Sequence, residues 1–420
     1  MPQFLRIRFR RSPLWRRLLL LGCLTVCVWG QSSAILPFAN LTPQVNGSAT
    51  NTFDWIGESV AETVRDAIHA RGGVTVERLA VDDAYSQLNL RRVSLLTQAS
   101  ALKVGETLEV EQLVYGNFRV VAQAERPSAE ATGAPPGRRG TLTLTARVTD
   151  RGKLAHSAEF SEHGNLEDLP TLEAHLAWRV LTLIAPKLAP AEADFRTLRP
   201  AIRLDAQESY IRGLIAREPE QRERFLLQAT RLEPKFGHPA FELGRIHYDR
   251  KEYRQAVQWL QKVSSEDVHS HDANFLLGLA LFQAADYTGA QKAFQLVANA
   301  VPLSEVLNNL GAAQSRRGLP EAVENFQRAS QGDPNDPTYF FNLGYAQWKK
   351  SDFPSAAIAF RSALDRQPDD PLATLLLGLC IKKQGPRPGE AQLEALERLK
   401  TNYEERAYLQ LKALVQPDKP

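Results

Sequence analysis

The sequence predicts two units of different class: an α/β domain with a small mixed sheet, then an all-α solenoid of repeated helical hairpins. Three observations carry this division. Between residues 35 and 186, apolar residues alternate with period two in some stretches and recur at three- and four-residue steps in others. Further on, a glycine returns at Gly213, Gly244, Gly278, Gly311, Gly344 and Gly378, at intervals of 31, 34, 33, 33 and 34 residues. Between the two regions lies the proline-rich "APKLAPAEADFRTLRP" (Ala185–Pro200), a boundary by composition. A chain of 420 residues also exceeds what one compact domain ordinarily holds.

Residues 1–34 have the make-up of a secretory signal. Arg6, Arg8, Arg10, Arg11, Arg16 and Arg17 precede an apolar run from Leu18 to Gly30, and "QSSA" follows it. That run is 13 residues, whereas a spanning helix needs ~20. Cleavage is expected at or before Ala34. Removing the six arginines changes the formal net charge from +3 to −3, so the basicity belongs to targeting and argues against nucleic acid. Membrane contact is expected only through an uncleaved signal or, less favoured, a lipidated Cys23 in "LLGC". Cys23 and Cys27 fall inside the signal, so Cys380 alone remains and no intramolecular disulfide can form.

In residues 35–186 the elements follow in order. "ILPF" (Ile35–Phe38) is a short apolar strand. "TFDWIGESVAETVRDAIHARGG" (Thr52–Gly73) is a helix, with Asp54 as its N-cap, Ile56, Val60, Val64 and Ile68 on one face, and Gly72-Gly73 ending it. Val74–Leu79 is a second strand, and Arg91–Val104 a helix closed by Gly105. Val110–Gln123 is a long strand. Thr141–Asp150 alternates, with Leu142, Leu144, Ala146 and Val148 on its buried side. "TDRGK" turns into "LAHSAEF", and a helix over Leu169–Leu183 presents Leu172, Leu176, Val180 and Leu183. Ala124–Gly140 is a polar insertion rich in Pro, Gly and Ala. The "ILPF-N" strand, the "IGESVAETV" helix, the "V-Y-G-F" strand and the "T-T-RVTD-G" hairpin with its trailing "LEDL" together resemble the bacterial TolB amino-terminal/FlgO-type domain. The resemblance implies a periplasmic domain with no catalytic residues, often placed before repeats.

Residues 187–204 read as a linker, 205–400 as about six hairpins, and 401–420 as a capping helix and tail. The clearest unit is Tyr339–Pro371, with Leu343-Gly344, Ala356, Phe360, Ala363 and Pro368. Small residues stand where paired helices touch, large apolar ones fill the next layer, and proline closes each unit. These units resemble the tetratricopeptide repeat, whose period is ~34 residues. One repeat cannot bury its own faces, so stacking is compulsory.

The resemblance implies that the first helix of each unit lines a groove for protein or peptide segments. Counting the repeat glycine as position eight, the matching candidates are Phe241, Arg245 and Tyr248; Phe275 and Phe282; Asn308 and Arg316; Phe341, Tyr345, Trp348 and Lys349; then Lys382 with Lys383. Aromatic groups with a few cations suit an acidic-apolar segment. No unit has Lys at position five, which disfavours a carboxylate clamp. No phosphate-binding glycine loop, zincin helix or nucleophile elbow occurs, so no cofactor and no catalytic role are expected. "VHSHD" (Val268–Asp272) is a tempting metal trio, but it sits at a repeat junction where polar loop residues belong.

Overall fold

A computed structural model describes residues 32–43, 53–91, 94–122, 140–152, 155–197, 202–387, 391–405 and 408. The leader with Cys23, the interior of the polar insertion, and the tail beyond residue 408 lie outside the described residues.

The first unit is a mixed sheet with helices on both faces. β1 (Ser33–Ile35) runs parallel to β3 (Gln112–Ala122), with Ile35 opposite Val114. β2 (Ala39–Asn40) continues along β3 opposite Asn117 and Phe118. β4 (Gly140–Asp150) is antiparallel to β3 over its whole length, and β5 (Ala155–His156) and β6 (Phe160–Asn165) pair with β4. The strand expected at Ile35–Phe38 is thus two short pieces, because Pro37 has no N–H to give to a ladder. Phe38 instead donates its N–H to Gly57 O at 3.1 Å. A Cβ on Gly57 would lie 2.1 Å from Phe38 O, so only glycine allows this approach. The strand begins at Ser33, inside the stretch read as leader.

α1 (Trp55–His69) and α4 (Leu169–Ile184) cover one face, where Ile35, Val114, Leu142 and Leu144 meet Ile56, Val60, Leu176 and Val180. α2 (Arg78–Gln87) and α3 (Gln98–Thr107) cover the other, where Ala34, Leu36, Leu113 and Tyr115 meet Val81, Tyr85 and Val104. The switch of face between neighbouring residues is the period of two of the strand. Three local expectations are corrected. Val74–Leu79 contributes a single bridge, Thr75 to Ser33, before the chain turns into α2. α3 starts at Gln98, where the Thr97 hydroxyl accepts from Ser100 N, and it runs through Gly105. Leu183 is exposed and Leu181 is buried in its place.

Beyond the short α5 (Glu192–Thr197), whose Phe195 is buried, the solenoid follows. Its hairpins are α6 (Leu204–Ile215) with α7 (Pro219–Leu232), α8 (Gly237–Asp249) with α9 (Tyr253–Leu260), and α10 (Ser270–Gln283) with α11 (Tyr287–Ala300). Next come α12 (Ser304–Arg316) with α13 (Glu321–Gly332) and α14 (Pro337–Lys349) with α15 (Phe353–Arg366). α16 (Pro371–Ile381) has no second helix among the described residues. The repeat glycines record this. Cβ atoms built on Gly213, Gly244, Gly278, Gly311 and Gly344 fall 2.5–3.0 Å from Leu226, Leu260, Phe294, Phe326 and Phe360, all on the paired helix, whereas a Cβ on Gly378 meets nothing within 4 Å. Gly385 and Pro386 follow α16; Ala391–Leu393 then form a single 3-10 turn, the chain bends at Ala395, and residues 396–400 carry neither helix nor turn, in place of the sixth hairpin's second helix.

The two units share one apolar core that extends from Ile35 to Leu243. Gln207 on α6 donates to Ser59 Oγ on α1 at 2.7 Å and to the buried Glu173 on α4. Gly278→Ala should lower stability by about 1–3 kcal/mol through overpacking against Phe294. Gly378→Ala should be neutral or stabilise by up to about 1 kcal/mol, the helix preference for alanine. Thermal unfolding of the two variants beside the parent checks both.

Candidate peptide-binding groove

The extended segment after α16 lies against the first helices of the hairpins and crosses them from the last toward the middle of the solenoid. Tyr345 OH on α14 donates to Leu393 O at 2.9 Å, and Arg316 on α12 donates to Ala395 O at 2.9 Å. Asn342 grips both main-chain groups of Arg398, accepting from its N–H at 2.9 Å and donating to its C=O at 2.7 Å. Asn309 does the same one repeat earlier, with Lys400 N–H at 2.8 Å and C=O at 2.7 Å. Asn308 adds a second donor to Arg398 O at 2.9 Å. Each asparagine amide thereby pairs with alternate residues of an extended chain, as a neighbouring strand would. Further along, Tyr403 packs on Phe275 with ring centroids 4.6 Å apart and donates to Asp272 at 3.0 Å.

Side chains fix the register. Glu397 is buried between Arg316 at 2.6 Å and Lys349 at 3.3 Å, and also accepts from Ser315 Oγ at 2.7 Å. Arg398 forms a two-pronged pair with Asp370 at 2.6 and 3.0 Å, its guanidinium 3.4 Å from the Phe341 ring centroid. Lys400 pairs with Asp336. Asp336 and Asp370 are the N-caps of α14 and α16, accepting from Thr338 N and from Leu372 and Ala373 N. Burial alone would raise both carboxyls, yet the Lys400 and Arg398 contacts outweigh it and hold them below the ordinary carboxylate value.

The sequence candidates divide by place. Asn308, Arg316, Phe341, Tyr345, Lys349 and Phe275 touch the extended segment directly. Phe282 packs on Tyr287 beneath Arg316, and Trp348 donates its Nε1–H to Gln384 O at 2.8 Å where the chain leaves α16. Phe241 stacks on His269, Arg245 pairs with Glu242, and Tyr248 meets Tyr253, all nearer the first unit. Lys382 and Lys383 are exposed past α16. Sequence reasoning missed Asn309, Asn342, Ser315, Asp336 and Asp370. A signal was present: Asn-Leu-Gly occurs at 309–311 and again at 342–344. The described part of residues 402–408 lies along α10, where His271 pairs with Glu405 at 2.7 Å, and not over the last helix as a cap.

The "VHSHD" residues part company: His271 faces Glu405, while His269 joins Asp66 and His238 at the junction of the two units. One donor atom from each of Asp66, His238 and His269 lies within 4.8 Å of the others, the one such group of three among the described residues. His238 bridges two carboxylates, Nε2 to Asp66 at 2.9 Å and Nδ1 to Asp267 at 3.3 Å. Burial alone lowers its pKa, but Asp66 and Asp267 override that and push it up to about 10. Its ring nitrogens then carry protons, and a metal would have to displace an ion pair.

With that geometry in place, a family model for the tetratricopeptide repeat matches residues 241–305, 311–371 and 341–407. The stacked hairpins are therefore a solenoid in which residues 241–305 and 311–407 carry tetratricopeptide repeats. Similar solved structures include YrrB, described as a TPR protein with an unusual peptide-binding site, at 20% identity over 42% of this chain and 91% of that one, TM-score 0.38. MamA from Desulfovibrio magneticus RS-1 is similar at 24% identity over 41% and 99%, TM-score 0.36. Comparison with curated proteins gives no match.

Because His238 has its pKa raised from 6.5, its contribution to docking the two units is complete below pH 6.5 and is lost as pH rises through about 10. Its ring should remain protonated at pH 8.5 in an NMR titration of the full chain. Asp66→Asn should bring the midpoint down.

Proposed function

We propose that the chain is an exported, non-catalytic scaffold that holds protein partners in the groove formed by the first helices of its repeats. The observation that carries this reading is the grip of Asn309 and Asn342 on the main chain of an extended segment. Main-chain recognition of this kind takes any extended polypeptide, and the flanking charges select among sequences. The resemblance of the first unit to TolB amino-terminal/FlgO-type domains and the basic-then-apolar leader support a periplasmic location. The absence of a catalytic constellation in the sequence supports a binding role.

A photo-crosslinking residue in place of Lys349, in the groove, should give adducts between this chain and a second protein in intact cells. The same residue in place of Arg361, exposed on α15, should give none. Adducts from Arg361 as abundant as those from Lys349 would remove the groove from the binding surface. Intact-mass measurement of the mature protein should place its first residue no later than Ile35. A mature chain beginning before Leu18 would mean that the leader stays as an anchor.

A further inference from the structure

We propose that residues 393–405 are a built-in ligand that keeps the groove closed, and that the partner displacing it is an extended segment of the same charge order. That order is an acid followed at once by a base, with a second base two residues on. The proposal rests on the groove being the binding surface and adds the occupant, its direction and the regulation.

Three features make this segment a ligand in place of an ordinary part of the core. Its main chain is held by asparagine side chains and not by a sheet, so another extended chain could make the same bonds. Its order is read by charges on the repeats: Glu397 lies between cations, while Arg398 and Lys400 meet the caps of α16 and α14. Reversing the first pair of letters would set Arg against Arg316 and Lys349, and Glu against Asp370. The segment uses the stretch of sequence that a sixth hairpin's second helix would need, yet it lies on the groove side, where Leu393, Leu396 and Leu399 cover apolar groups of the first helices, and the place behind Gly378 stays unfilled. None of the ten helices of the five complete hairpins includes any of its residues.

Tethering favours the closed form. A segment joined to its site by a short connection competes at an effective concentration of ~mM, so a free segment of equal intrinsic affinity is largely excluded. A partner must bind tighter than this segment, or the segment must first be loosened. Several of its holds are ion pairs at partly exposed groups, with Arg398 and Lys400 side chains 27% and 24% exposed. Salt therefore loosens it.

The test uses the full mature chain and a fluorescein-labelled synthetic peptide with the sequence of residues 391–405. In the double variant Glu397→Lys/Arg398→Glu the tethered segment is misfit and the groove should open. The peptide should bind this variant at least ~10-fold more tightly than the parent, as relief of intramolecular occlusion requires. Binding should vanish when Asn309→Ala and Asn342→Ala are added, and for a peptide in which Glu397 and Arg398 change places. Equal binding by parent and double variant would mean an open groove: the closure is then wrong while the scaffold reading stands. A cooperatively melting double variant that does not bind the peptide would overturn the occupant and its charge order, and the Lys349 crosslinks would judge the scaffold reading separately. Hydrogen exchange on the parent gives a check free of any variant. The amides of Arg398 and Lys400 should be protected, and exchange at the rate of an unstructured chain would overturn the proposal.

Discussion

The solenoid depends on one close contact, repeated: a helix whose glycine has no side chain receives a leucine or phenylalanine from the helix paired with it. At Gly278 the built Cβ would come within 2.6 Å of the Phe294 ring, which only hydrogen at that position avoids. This contact sets how far apart the two helices of a hairpin stand and so fixes what the first helices present on their other side. Since it recurs every 33 or 34 residues over most of the solenoid, equivalent side chains recur along the groove with it. Asn309 and Asn342 are such a pair, and so are the capping residues Asp336 and Asp370.

A repeating surface of this kind reads an extended chain, because the extended chain also repeats. Residues of a strand that point the same way are two apart, ~6.6–6.8 Å. One step along the repeats, from Asn342 to Asn309, moves the gripped residue from Arg398 to Lys400. The same step moves the charge partner from Asp370 to Asp336. Two periodicities of unlike origin are thus brought into register, and the bound segment runs opposite to the order of the repeats. Glu397, one residue before Arg398 and so out of step with that pair, points elsewhere and finds the two cations of α12 and α14.

How much of this the sequence disclosed follows from what is periodic and what is not. The glycine series, the alternating β4 and the stripes of α1 and α4 are local patterns, and they placed the elements to within a few residues. Val74–Leu79 has a strand's composition yet yields one bridge, because pairing depends on what lies across from it. Part of what touches the segment came from counting positions in the repeat: Asn308, Arg316, Phe341, Tyr345 and Lys349. Asn309 and Asn342 stand two residues before their glycines, a position that was not counted. The extended segment had no signature at all, since "LERLKTNY" has neither helical nor strand period and is ordered by side chains far away in the chain. The missing second helix behind Gly378 was equally silent, because a glycine looks the same in sequence whether or not something packs on it.

The first unit matters to the groove through its attachment. His238, at the head of α8, is a cation held by Asp66 of the sheet unit and by Asp267 just before α10. His269, in the next turn, packs edge-on against His238 and lies 3.9 Å from Asp272, the carboxylate that accepts from Tyr403 of the bound segment. A chain of contacts therefore runs from the sheet unit, through two histidines, to the far end of the groove's occupant. Burial would raise Asp272, yet His269 and Tyr403 keep it ionised, so its charge is shared between the interdomain cluster and the segment. Spatial continuity does not by itself make such a chain a switch. It does mean that the two units meet at the place where a displacing segment would finish its passage, and that the charges anchoring the units also face whatever the groove holds.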